Sequence, residues 1–157
     1  MRILIFSDSH GATEPIIKAT GQYHPDLLIH LGDYMRDAKA VSQSPHGCPV
    51  SCVPGNCDIS SKASPVKLET WDGVTLLITH GHLFRVKQNL SPLRSASRNA
   101  GTRIALFGHT HYPHNEDTQG ILLFNPGSIA YPRIGNPTFG LLEIENGQIK
   151  ARIIPAG

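Results

Sequence analysis

The sequence predicts a mixed α/β fold: two β-sheets packed together with helices outside. Two observations carry this. The first third alternates short apolar runs with helix-like segments, a βαβαβ order that builds parallel strands. The remainder is mostly short β-rich runs, several joined by tight-turn dipeptides, as in meandering strands.

Arg2–Phe6 places Ile, Leu, Ile and Phe in succession and reads as a strand buried on both faces. Thr13–Tyr23 is expected to be a helix, with Thr13 as its cap and Pro15 in the first turn. Asp26–His30 is the second strand, Arg36–Gln43 a short helix, and Val50–Val53 a third strand ending in Pro54-Gly55. Val66–Thr70 and Val74–Thr79 flank Asp72-Gly73, a strong hairpin signal. Asn89–Ala100 suggests a helix closed by Gly101. Arg103–Phe107, Ile121–Phe124, Thr138–Ile144 and Gln148–Ile154 are further strands, the last two joined by Asn146-Gly147. No internal repeat, low-complexity tract or linker breaks the 157 residues, so residues 1–157 read as one domain.

Composition narrows the function classes. At 39% hydrophobic and 17% charged, the chain resembles ordinary soluble globular proteins. No apolar run approaches the ~20 residues of a membrane span, so no membrane partner is expected. The start, Met1 to Asp8, lacks the apolar length of a signal peptide, which makes a cytoplasmic location the default expectation. Cys48, Cys52 and Cys57 are odd in number and match no zinc-ribbon spacing, which argues for reduced thiols. Cys48 and Cys52 read as small apolar fillers near a strand. A net charge of +2 does not mark a nucleic-acid binder, which leaves nucleic acid only as a possible substrate. The charge is unevenly spread. No carboxylate lies between Asp72 and Glu116, while Arg85, Lys87, Arg94, Arg98 and Arg103 do, so that stretch is +5 and the remainder −3. Such a run either concentrates anions or forms a solvated helix face.

The placement of polar residues is the most informative feature. Successive strands run into Asp8-Ser9-His10, Gly32-Asp33, Gly55-Asn56, His80-Gly81-His82 and Gly108-His109-Thr110-His111. Five strands thus deliver metal-ligand residue types at their carboxyl ends, the edge where open α/β sheets bind ligands. One such pair is weak evidence. Five at five strand ends are hard to produce by chance.

These motifs, with Gly55-Asn56-Cys57-Asp58 and the later Asn125-Pro126-Gly127-Ser128 and Tyr131-Pro132-Arg133, resemble the calcineurin-like metallophosphoesterase family. The likeness is strongest to its short prokaryotic phosphodiesterase branch, which is structurally similar to the retromer scaffold subunit. It covers Met1 to about Ile154. It implies a four-layer sandwich of two mixed β-sheets flanked by helices, with metals at one sheet edge. It further implies one metal on Asp8, His10, Asp33 and His111, and another on Asp33, Asn56, His80 and His109. Asp33 would bridge, since each carboxylate oxygen can serve one ion.

The charge count agrees with this chemistry. Two divalent ions carry +4, Asp8 and Asp33 subtract two and a bridging hydroxide one more, leaving about +1 to attract an anionic ester. The hydroxide would attack phosphorus in line with the leaving oxygen. Mixed His, Asn and Asp ligation suits Mn, Fe, Co, Ni or Zn, and the resemblance puts manganese first.

The pattern departs at one place. Many relatives carry histidine after the asparagine; here Cys57 stands there, a thiol with a reference pKa of about 8.5. Weak activity on esters with basic leaving groups is therefore expected, and better activity on diesters with phenolic ones. His82 serves either as an acid or phosphate contact, or as support for His80. Asp58 either orients a neighbour or caps the following turn. His30 reads as structural, as do His24, His46 and His114, each of these three in a loop-like setting; Arg36, Arg85 and Arg133 read as surface. The functional expectation is a two-metal phosphodiesterase acting on a small phosphodiester, with a homo-oligomer left open as its assembly state. The alternatives are a phosphomonoesterase or a non-catalytic scaffold like the retromer subunit. Seven intact ligand positions favour the enzyme.

Overall fold

The computed structural model describes residues 1–157. In chain order the elements are β1 (Arg2–Phe6), α1 (Glu14–Tyr23), β2 (Leu27–His30), α2 (Met35–Ser42), β3 (Val50–Cys52), β4 (Val66–Trp71) and β5 (Val74–Thr79). A 3₁₀ turn (His82–Phe84) follows, then α3 (Ser91–Asn99), β6 (Ile104–Leu106), β7 (Pro113–Thr118), β8 (Ile121–Pro126), β9 (Thr138–Glu145) and β10 (Gln148–Pro155).

The strands form two five-stranded mixed sheets, in the orders β10-β9-β1-β2-β3 and β4-β5-β6-β8-β7. Strands β1, β2 and β3 run parallel in the first sheet, and β5, β6 and β8 in the second. The strand period of two sorts side chains between layers. Ile3, Ile5, Leu27, Ile29, Leu76, Ile78, Ile104, Leu106 and Phe124 fill the core between the sheets. Their neighbours face outward. Leu4, Phe6 and Leu28 pack with Ile16 and Ala19 of α1 and Val41 of α2. Leu77, Ala105 and Leu123 pack with Leu93 of α3. The result is the four-layer arrangement expected.

Three differences from the sequence reading stand out. Strand β7 was not expected, because Pro-His-Asn-Glu-Asp-Thr has no apolar alternation. It is an edge strand, held by its pairing with β8 across Pro113↔Pro126 to Thr118↔Ile121, and proline is tolerated at such an edge. His114 therefore lies in a strand and not in a loop. Thr13 makes no side-chain cap on α1. Elsewhere the expected elements hold to within two residues. Cys48, Cys52 and Cys57 are free thiols, and Cys48 packs against the α1 side of the first sheet.

Candidate metal centre

The loops that leave β1, β2, β3, β5 and β6 meet at one edge of the sandwich. They bring together all seven residues singled out from the sequence. Five of them, Asp8, His10, Asp33, His109 and His111, have positive φ, between 45° and 68°. This left-handed backbone is disfavoured by roughly 1–2 kcal/mol per residue outside glycine, and such strain clusters at functional sites. Two glycines permit the close approach. A Cβ on Gly55 would run into the backbone nitrogen and carboxylate of Asp33, and one on Gly108 into the Ser7 hydroxyl.

Asp8, His10, Asp33 and His111 each offer a ligand atom, and these atoms all lie within 4.8 Å of one another. His111 Nε2 is 3.1 Å from Asp8 Oδ1, and His10 Nε2 is 3.9 Å from Asp33 Oδ2. A second group adjoins the first. His80 Nε2 lies 3.1 Å from Asn56 Oδ1, 3.2 Å from His109 Nδ1 and 3.6 Å from Asp33 Oδ1. Asp33 thus turns one oxygen toward each group.

The donor set fits a cation on two counts. Asp8 Oδ1 is fully buried and has no hydrogen-bond partner, an arrangement that is costly for a carboxylate left alone. Secondly, His80 Nδ1 donates to the Leu31 carbonyl at 2.7 Å, and His111 Nδ1 donates to the Tyr131 carbonyl at 2.7 Å. A carbonyl can only accept, so in each neutral ring Nε2 carries a lone pair, as in metal-bound histidines. The His80 lone pair then faces Asn56 Oδ1 and Asp33 Oδ1, acceptor against acceptor, which a cation between them resolves.

Electrostatics couple Asp8 to the surrounding rings. Burial pushes the Asp8 carboxyl up, but His111, His80 and Ser7 outweigh it and hold it below its ordinary value. The Asp8 carboxylate in turn raises His111, so without an ion a proton on Nε2 is favoured between the two groups, the place a bound cation would take. Burial, then the neighbouring His80, lowers His109 to about 4, so its ring is neutral at pH 7.

Supporting residues to which sequence reasoning assigned no role at the site hold these side chains in place. Ser7 Oγ and the His109 N–H both donate to Asp8 Oδ2, at 2.5 and 3.1 Å. Ser128 Oγ donates to the Asp8 carbonyl at 2.9 Å. Asn125, buried near the end of β8, donates through Nδ2 to the Gly108 carbonyl and Thr110 Oγ1 and accepts from the Gly127 N–H. A buried chain runs behind the Asp8 loop. The Gly32 N–H donates to His30 Nδ1, so His30 Nε2–H donates to Ser9 Oγ, and Ser9 donates to Asp37 Oδ2 at 2.6 Å. Asp37 also accepts the Gly11 N–H. Burial lowers His30 to about 4, which keeps it neutral in this chain. His30 is structural, as expected.

The remaining candidates resolve unevenly. Asp58 orients the loop beyond β3: its carboxylate accepts the N–H groups of Met35 and Gly55. Cys57 is exposed beside Asn56, and its N–H donates to Asp33 Oδ1 at 2.9 Å. His82 sits in the 3₁₀ turn with its ring 5.4 Å from that of His80, and its buried Nδ1 has no partner.

Comparison with known proteins agrees with this geometry. A family model described as the calcineurin-like phosphoesterase superfamily domain matches residues 1–147. The chain is 34% identical over 155 residues to the probable metallophosphoesterase YsnB of Bacillus subtilis, spanning 97% of this chain and 89% of that one. It is 31% identical over 172 residues to the phosphodiesterase YfcE of Escherichia coli, spanning 91% and 88%. A crystal structure of a predicted phosphoesterase from Streptococcus pneumoniae TIGR4 superposes with a TM-score of 0.82 at 28% identity, covering 99% of this chain and 89% of that chain. With its strand-end Asp and His residues gathered at one edge of a two-sheet sandwich, the chain belongs to the calcineurin-like phosphoesterase superfamily.

Proposed function

We propose that this protein is a phosphodiesterase that works with two divalent transition-metal ions. The observation that carries the reading is the position of Asp33, with one oxygen facing the His10 side and the other facing His80. One ion would sit on Asp8, His10, Asp33 and His111, the other on Asp33, Asn56, His80 and His109. Bound there, the ions would polarise the phosphoryl oxygens and supply a water-derived nucleophile near neutral pH. The protein's own work is orientation. The Leu31 and Tyr131 carbonyls fix the tautomers of His80 and His111. Ser7, Ser128 and the His109 N–H hold Asp8. Manganese is the first metal to try, with Fe, Co, Ni and Zn as the other ions this ligand set suits. The diester preference draws support from the phosphodiesterase relative of E. coli and from a site whose net charge with two ions is only modestly positive. Residues 1–157 act as one domain.

The test is a bis(p-nitrophenyl) phosphate assay after chelation and after re-addition of each divalent ion in turn. Turnover is expected only with added metal. His109→Ala should lose it, while His24→Ala, far from the centre, should keep it. Absence of turnover with every ion, or equal behaviour of the two variants, would sink the reading. Faster hydrolysis of p-nitrophenyl phosphate than of the diester would replace it with a monoesterase.

A further inference from the structure

Two cavities are lined by the loops that carry the candidate ligands, one from each sheet. The first, about 550 Å³, includes Tyr34 and Cys57, the residues that follow Asp33 and Asn56. The second, about 470 Å³, includes Thr110, which lies between His109 and His111, together with Tyr112, Lys87 and Arg133. Both are large enough for a nucleoside-sized group. Each presents an exposed or partly exposed tyrosine, and the exposed apolar side chains Ile59, Leu83, Tyr131 and Ile134 lie on the same loops. A phosphodiester has two organic arms, and this surface offers an amphipathic place for each.

The two places differ in charge. In the first, Arg36 lies over the Tyr34 ring, 4.7 Å from its centroid, and Asp58 sits beside it. In the second, Lys87 and Arg133 are both exposed and neither is paired with a carboxylate. Glu116, whose carboxylate is 3.7 Å from His114 Nε2, is not among the residues lining that cavity. The second cavity therefore carries two free cations with no internal counter-charge.

From this asymmetry we infer that the second cavity is a subsite for an additional phosphate on one arm of the substrate, held by Lys87 and Arg133, with Tyr112 against the organic part of that arm. The substrate class is a phosphodiester bearing a further phosphate, as in a short oligonucleotide with a terminal phosphate. Lys87 and Arg133 are specificity-determining residues. Tyrosine is suited to stack with a base because every base has a π-face. The inference rests on the phosphodiesterase reading for its catalytic arm and on charge and shape for its binding arm.

The experiment uses two substrates that differ only by the second phosphate: thymidine 3′-phosphate 5′-(p-nitrophenyl phosphate) and p-nitrophenyl thymidine 5′-phosphate. With the metal-loaded full chain, kcat/KM should favour the bisphosphate about tenfold or more, as a charge-assisted contact provides. Lys87→Gln and Arg133→Gln should each reduce that preference about threefold to tenfold, through KM. The preference should also shrink as salt is raised. Lys150→Gln, on the far strand β10, should leave both substrates unchanged. A wild-type ratio near one, or a ratio untouched by both substitutions, overturns the subsite. If neither substrate is hydrolysed with any ion, the phosphodiesterase reading fails. Equilibrium binding then decides the subsite separately. Tighter binding of thymidine 3′,5′-bisphosphate than of thymidine 5′-phosphate, lost in Lys87→Gln, sustains it, and equal affinities reject it.

Discussion

Asp33 and Cys57 share a hydrogen bond from the Cys57 N–H to Asp33 Oδ1 at 2.9 Å, which sets the thiol at the edge of the centre beside Asn56. Burial, and then the Asp33 and Asp58 carboxylates, push that thiol above its ordinary value. In the ion-free protein it stays protonated at neutral pH and is a weak acid for a departing alkoxide, since a general acid works best with a pKa near the operating pH. Replacing it with imidazole supplies such an acid. Cys57→His is expected to raise kcat on diesters with alkyl leaving groups by about tenfold or more, with little change on p-nitrophenyl esters, whose phenolate leaves without help. An unchanged alkyl-ester rate would reject leaving-group protonation as the limiting step. The seven candidate ligands were legible in the sequence because all follow strands, four of them in the spaced pairs Asp8/His10 and His109/His111, and Asp33, Asn56 and His80 each beside a glycine. Ser9, Asp37 and Asn125 were not, because serine, aspartate and asparagine are the ordinary residues of turns and caps. Only their burial and their partners, Asp37 to Ser9 and Gly11, Asn125 to Gly108 and Thr110, mark them out. Ser128 and Asn125 did leave a trace, in the motif Asn125-Pro126-Gly127-Ser128.

The elements fall into the same two groups. Where a strand is buried on both faces, as in β1 and β2, the apolar run announces it. Where turn chemistry dictates the backbone, the sequence announces that too. Asp72-Gly73 and Asn146-Gly147 both have positive φ at each residue, as a tight hairpin requires. The β7–β8 hairpin turns in the same way at Gln119-Gly120, but glutamine is a poor turn signal and β7 has no apolar face, so pairing alone creates it. That hairpin matters for the site because Asn125, the last residue but one of β8, braces the loop carrying His109 and His111. Asn125→Ala removes three hydrogen bonds inside a buried site. The Gly108 carbonyl keeps the Thr110 N–H and Thr110 Oγ1 keeps Tyr112, so the Gly127 N–H is the group left unpaired; at about 1–3 kcal/mol for a buried orphan, urea unfolding should show a loss of that order. Metal affinity should fall as well. Full stability and affinity in the variant would mean that Asn125 does not hold the histidine loop.

At the scale of the whole molecule, the centre lies across the join between the sheets. Asp8, His10, Asp33 and Asn56 follow strands of the first sheet, while His80, His109 and His111 follow strands of the second. Direct ties already cross at this point: the His109 N–H donates to Asp8 Oδ2, and His80 Nδ1 donates to the Leu31 carbonyl. These contacts crowd lone pairs and carboxylates that the unfolded chain would keep apart in water. A bound ion relieves the crowding only in the folded state, so metal binding is linked to folding. At an ion concentration one hundred times its dissociation constant, one site adds about 2.7 kcal/mol, which in a chain of this size is roughly 5–10 °C in Tm. Saturating manganese or zinc should therefore raise Tm by about that amount over the chelated protein, and by more if both sites fill. Asp33→Asn, which weakens both proposed sites at once, should largely abolish the rise while relieving some repulsion in the chelated form. A melting temperature indifferent to every divalent ion would show that these seven residues, though gathered from both sheets, do not act as a metal centre.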